Sequence, residues 1–225
     1  MQHQRTALSK SRNRTFRALA FLAALYPLVR RPILTWGATS EEARSRLPGD
    51  ELLEGADGVS TRAITIDAPA AAVWPWLAQI GPSPRGGAYT YDWIENLLGL
   101  NMHSAESILP QFQHPDVGDT IGLGSNRMRL ELVEPRRVLA WRSEDCNWVW
   151  TFVLEEHEGA TRLISRNRFR LPTLAARIGM LPMEPGSLVM ERKMLRGIQE
   201  RAERLASATQ DGLSRDTASV PTRLP

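Results

Sequence analysis

Apolar positions recur along this chain in two periods, one of helices and one of strands. In Ala70 to Ile80 the residues Val73, Trp76, Leu77 and Ile80 fall at i, i+3, i+4 and i+7, the spacing of a single helical face. Pro75 lacks a backbone donor and is expected to bend this helix or divide it into two short pieces. Gly81 to Gly87 reads as a loop. A second short helix is predicted to start with Thr90 as its N-cap, to carry Tyr91, Ile94 and Leu98 on one face, and to stop at Gly99. Ahead of both helices, β-branched Thr61, Ile64, Thr65 and Ile66 mark a strand from Thr61 to Asp67, closed by Asp67-Ala68-Pro69. Five further strands are predicted after them: Thr120 to Leu123, Arg127 to Val133, Arg137 to Trp141, Trp148 to Leu154 and Thr161 to Phe169. Breaks as short as Glu134-Pro135 and His157-Glu158-Gly159 join antiparallel neighbours, because a parallel pair needs a long crossover. The strands should therefore form a meander. From Gly186 to Ala206, Leu188, Leu195, Ile198, Ala202 and Leu205 recur at helical spacing, with Arg192, Lys193, Arg196 and Glu200 on other faces, so the last element is a long amphipathic helix.

The flanks break both periods. Ala18 to Val29 is an apolar run of twelve residues, preceded by Arg14 and Arg17 and followed by Arg30 and Arg31. A bilayer span needs about 20 residues, and the arginines stand where the small residues of a signal-peptide cleavage site should follow. Three readings remain: a short or tilted span extended by Ile33, Leu34 and Trp36, an interfacial anchor, or a helix packed on the domain. Membrane contact through residues 14–36 is the expectation, with a cytoplasmic protein as the alternative. Turn chemistry at Pro48-Gly49-Asp50 and Asp57-Gly58 makes the polar stretch after Ser40 a linker or lid. Ser207 to Pro225 is polar, has no periodic apolar residues, and is expected to be disordered. The organisation is thus a basic, apolar arm at 1–39, a linker or lid at 40–60, a domain at 61–206 and a tail at 207–225.

At 225 residues and 42% apolar content the chain can fill one ordinary core. Charge is distributed unevenly: residues 1 to 40 hold seven basic side chains and no acid, so a total of +3 leaves a net charge of −4 for residues 41 to 225. A mildly acidic domain repels a phosphate backbone, which argues against nucleic acid as a partner. Cys146 is the only cysteine, so no disulfide within the chain and no cysteine-based zinc cluster can form, and its apolar neighbours Trp148 and Trp150 suit a buried structural thiol. HExxH, GxSxG and Walker patterns are absent, and GLGSNR at Gly122 to Arg127 lacks the third glycine of a dinucleotide fingerprint. Neither metal nor cofactor is expected.

The order of elements and four stretches of sequence carry a family resemblance. TWGATSEEARSRLPGDELL, TRAITIDAPAAAVWPWLAQIG, GGAYTYDWIENLLGL and EPGSLVMERKMLRGIQERAE, together spanning about residues 35 to 206, resemble the SRPBCC superfamily of START-like lipid-binding domains and polyketide cyclases. The resemblance implies an α+β helix-grip fold, an antiparallel β-sheet wrapped around a long C-terminal α-helix, with two short helices after the first strand and here an added N-terminal apolar helix. It also implies a cavity between sheet and helix for an apolar or amphipathic small molecule. No reaction follows from the fold, which hosts both binders and enzymes.

The candidate pocket residues are Trp76, Tyr89, Tyr91, Trp93, His103, Trp148, Trp150, Met190 and Met194. The aromatic rings suit the wall of an apolar site while their polar tips orient a ligand, although core packing explains them too. Trp148 and Trp150 are two apart on a strand and share a face. Met190 and Met194, one helical turn apart, offer flexible thioethers that adapt to varied apolar shapes. His103 in NMHSAES is the candidate general base, with a packing or capping role as its alternative. Arg166 and Arg168 share a strand face with Arg162 and Arg170, which suits a solvated face or an anion-attracting rim. Three functions remain open: non-catalytic binding of a lipid-, polyketide- or isoprenoid-like molecule near a membrane, a cyclase- or dehydratase-like enzyme, or a membrane-attached accessory protein acting through a protein partner.

Overall fold

A computed structural model describes Tyr26 and residues 28–124 and 126–218, the last seven by their backbone alone. Residues 1–25 and 27 lie outside the described residues, and with them most of the apolar run in the arm. The strands are β1 (Gly58–Ile66), β2 (Thr120–Leu123), β3 (Asn126–Glu134), β4 (Val138–Ser143), β5 (Trp148–His157) and β6 (Ala160–Phe169). All pairings are antiparallel and the sheet order is β1-β6-β5-β4-β3-β2. The meander predicted from the short connections thus runs from β2 to β6, and β1 closes against β6 at the far edge. Between Leu130 and Leu132 the register of β3 shifts, an irregularity of the kind that bends a sheet.

Among the described residues four α-helices accompany the sheet: α1 (28–34), α2 (Ala70–Ala78), α3 (Asp92–Leu97) and α4 (Leu174–Ala218). The inner face of the sheet supplies Leu130, Leu139, Phe152 and Leu163 to the main core, where they meet Val73 and Leu77 of α2 and Leu195, Ile198 and Ala202 of α4. At Gly197 α4 comes so close to the loop before α3 that an added Cβ would lie 2.6 Å from the carbonyl oxygen of Tyr89. Only glycine admits that approach.

Several expectations need correction. Pro75 does not divide its helix, since α2 is continuous through it. Helix α3 begins one residue later than predicted, with Tyr91 rather than Thr90 at its N-cap and no side-chain capping bond. α4 is far longer than Gly186 to Ala206, running from Leu174 through Pro182 and Pro185 to Ala218, so residues 207–218 of the supposed disordered tail are helical. A proline at 185 leaves the carbonyl of Leu181 without its usual helical donor. The hydroxyl oxygen of Tyr26 lies 3.2 Å from that carbonyl, although its single proton goes to Glu184 at 2.5 Å. Cys146 is half-buried in the β4–β5 turn instead of being buried.

The largest correction concerns residues 40–60, which are neither linker nor lid. Leu47, Asp50 and Leu53 are buried, Asp50–Leu53 forms a 3-10 turn, and residues 58–60 already belong to β1. Leu47 packs with Ala63, Val153 and Ile164 on the outer face of the sheet. The arginine row of β6 holds this strap in place: Arg162 pairs with Glu42 at 2.8 Å, and Arg166 with Asp50 at 2.7 Å, while Arg166 also donates to the carbonyls of Ser45 (2.8 Å) and Glu42 (2.5 Å). Arg162 and Arg166 thus clamp the strap rather than forming a solvated face, while Arg166 and Arg168 also line a second, polar pocket beside it.

An apolar cavity between the sheet and the closing helix

Trp148 and Trp150 alternate inward on β5, and on the neighbouring strand Phe169 does the same. Their rings stack in series, Trp150 on Trp148 at 6.1 Å and Trp148 on Phe169 at 6.0 Å, both inclined by 19°. This aromatic wall faces the first half of α4 across a cavity of about 440 Å³. Ile121 and Leu123 of β2 and Leu34 of α1 close other sides. Met102, Met180, Met183, Met190 and Met194 all line it, five of the seven methionines in the chain. A volume of a few hundred cubic ångströms with a mainly apolar wall is that of a small-molecule site.

Polar groups interrupt the wall at three places. The first is an ion pair inside the fold, Arg62 of β1 with Glu191 of α4, in which Arg62 has no exposure at all. Arg62 further donates to the carbonyl of Ile33 (3.2 and 3.1 Å) and to Ser187 Oγ (3.0 Å). Glu191 Oε1 accepts from Ser165 Oγ at 2.5 Å and from Asn167 Nδ2 at 3.2 Å. Those two side chains in turn receive the indole N–H groups, Trp150 to Ser165 at 3.1 Å and Trp148 to Asn167 at 2.9 Å. Glu191 therefore anchors both tryptophans of the wall. Burial pushes its carboxyl above the usual glutamate range, against the pull of Arg62, Ser165 and Asn167.

The second place is Glu184, which binds Arg30 through two nitrogens (2.9 and 2.7 Å) and accepts from the Tyr26 hydroxyl at 2.5 Å. This pair fastens α1 to α4. Desolvation works to raise its carboxyl, but the bonds from Arg30 and Tyr26 outweigh it and hold Glu184 below its ordinary value.

The third is Glu95, the one buried residue of α3. It lines the cavity, yet its Oε2 and the neighbouring Thr90 Oγ1 are buried without hydrogen-bond partners. Burial pushes the Glu95 carboxyl up; the Thr90 hydroxyl, close by but out of good hydrogen-bond geometry, opposes the shift, and the charge of Asp92 adds to it. Buried polar groups left unpaired are uncommon and call for a cause.

Of the residues singled out in the sequence, Trp148, Trp150, Met190 and Met194 face the cavity. Trp76 and Tyr89 belong to the solid core instead: their rings meet edge-on at 5.9 Å, and the Tyr89 hydroxyl donates to the Trp76 carbonyl at 2.9 Å. Tyr91 and Trp93 sit on the outward side of α3, 38% and 70% exposed. His103 is exposed on the loop after α3 and lines no part of the cavity, so the acid–base groups at the wall are carboxyls. Sequence reasoning missed Arg62, Glu95 and Glu191. Two of them left a signal. Glu191 fills the vacant slot in the series Leu188, Leu195, Ile198, Ala202, and Arg62 alternates with Ile64 and Ile66. A charge inside an apolar register marks either a buried pair or a site.

The strand order and the long helix across the inner face define a helix-grip protein, the architecture of SRPBCC and polyketide-cyclase-like proteins. No protein-family model and no curated protein matches the chain. Among solved structures it is similar to a Polyketide_cyc-like protein from Corynebacterium glutamicum, at 17% identity over 70% of this chain and 94% of that one, with a TM-score of 0.33. A protein from Mesorhizobium loti shares 18% identity over 68% and 98% of the two chains, with a TM-score of 0.38. One from Staphylococcus saprophyticus shares 17% over 63% and 89%, with a TM-score of 0.39. Likeness at these values carries no argument, and the fold stands on the strand order and register of the chain itself.

Proposed function

We propose that this protein binds one apolar or amphipathic small molecule, of lipid, polyketide or isoprenoid character, and does not transform it. The observation that carries the reading is the cavity of about 440 Å³ walled by methionines and stacked aromatic rings. Thioethers reshape themselves around varied apolar guests at small cost. Support for a non-catalytic role comes from Glu191, whose partners commit it to holding the wall, and from His103, which is exposed and lies outside the cavity lining. The test is titration of the purified chain with the neutral apolar dye N-phenylnaphthylamine, followed by native mass spectrometry of protein taken directly from cells. Saturable uptake near one equivalent supports the reading. Absence of uptake refutes it.

We also propose that the protein works against a membrane surface. No helix among the described residues is long and apolar enough to cross one. The support is a set of exposed apolar side chains, Leu28 and Val29 on α1 and Leu174, Ile178 and Leu181 on α4, close in sequence to the cavity-lining Arg30, Met180 and Met183. Such side chains favour the interface, and the cations of the arm add attraction to anionic lipid. Sedimentation with vesicles containing phosphatidylserine should carry the full chain down at low salt. A chain that stays in the supernatant under those conditions overturns this part.

A further inference from the structure

We propose that the molecule held in the cavity is an alcohol, an apolar body whose single hydroxyl docks between Glu95 and Thr90. This rests on the reading of the cavity as a binding site and names the ligand's chemistry. Of the three carboxylates along the wall, Glu191 and Glu184 are saturated by partners within the protein. Glu95 is different. It is 7% exposed and lines the cavity, and neither its Oε2 nor Thr90 Oγ1 meets a partner in good hydrogen-bond geometry, although the two groups lie close enough to interact with each other.

A hydroxyl group donates one hydrogen bond and accepts others, so one oxygen can donate to Glu95 and accept from the Thr90 hydroxyl. Both orphan groups are then satisfied at once. An ether or a plain hydrocarbon offers no donor, and a fatty-acid carboxylate brings acceptors against an acceptor. Because burial raises the Glu95 carboxyl, its protonated form also has to be served. An alcohol does so by accepting from the carboxylic acid, as an ether also can, so the two are compared at alkaline pH, where the ionised carboxylate calls for a donor.

The experiment uses the full chain with bound N-phenylnaphthylamine and measures displacement by dodecanol, by dodecyl methyl ether and by dodecanoate. These share one chain length and differ at the polar end. Dodecanol is expected to displace the dye at concentrations on the order of tenfold lower than the ether or the acid, the value of one charge-assisted hydrogen bond. In Glu95→Leu and in Thr90→Val that preference should shrink, while the dye itself still binds. Equal displacement by alcohol and ether in the unmodified chain overturns the proposal and leaves the cavity reading intact, as does a preference that survives Glu95→Leu. Should the unmodified chain take up no dye, both fall together. Comparison of alcohol with ether in the unmodified chain decides the matter even where a variant fails to fold.

Discussion

Glu95 and Glu191 are both buried carboxyls on the same cavity, yet replacing them has opposite consequences. Glu95 has a raised folded-state pKa, so the folded chain holds its proton more tightly than the unfolded chain does. Stability is therefore lost as pH rises through and above the usual carboxylate range of about 4. Glu95→Gln removes this penalty. The variant should melt above the unmodified protein at pH near 7, and the gap should close as pH falls below about 4, which thermal unfolding across pH will show. Removing Glu191 instead leaves the fully buried Arg62 without its counter-charge. Breaking a buried pair in this way costs about 3–5 kcal/mol, whereas exchanging both partners for apolar groups is often neutral. Denaturant unfolding should thus rank Glu191→Leu well below the double variant Arg62→Met with Glu191→Leu. Both should change tryptophan fluorescence, because each releases the indole N–H groups from their anchor.

Where α4 crosses the loop before α3, two effects of one methyl group compete. Alanine in place of Gly197 gains about 1 kcal/mol in helix propensity. Against it stands a contact of 2.6 Å with a backbone oxygen of Tyr89, which cannot swing aside as a side chain would. Overpacking of this kind costs about 1–3 kcal/mol, so Gly197→Ala should lower the melting temperature despite the better helix. The strands were legible because their signals are local: β2 matches its predicted bounds at Thr120 and Leu123, and the others end within three residues of theirs. The early start of α4 was not legible, since Pro182 and Pro185 read as a break and the groups that fasten this stretch, Tyr26 and Arg30 on Glu184, lie more than 150 positions upstream. The strap at 40–54 was hidden for the same reason, its polar residues finding their partners Arg162 and Arg166 more than a hundred positions downstream. Four of the nine candidates, the paired rings and the paired methionines, line the cavity. Arg62, Glu95 and Glu191 required the fold to show which charges point inward.

Three backbone carbonyls just after α1 or at its end bind the sheet: Ile33 accepts from Arg62, Trp36 from the amide of Ala63, and Gly37 from Arg162. A chain begun at Ser40 loses all three and leaves the buried Arg62 guanidinium with only Glu191 and Ser187 as partners. It should be markedly less resistant to limited proteolysis than one begun at Leu28, which keeps them. The pairing of β1 with β6 has a consequence for how the protein is made. These strands are roughly a hundred residues apart in the chain, and such non-local contacts form late. At about 5–20 residues per second, synthesis leaves β1 and α2 for several seconds without the strand and helix that cover them. During that interval Val73, Trp76 and Leu77 face water with nothing to pack against. Nascent chains arrested before Leu174 should therefore be held by ribosome-associated chaperones, and chains that have released α4 should escape them.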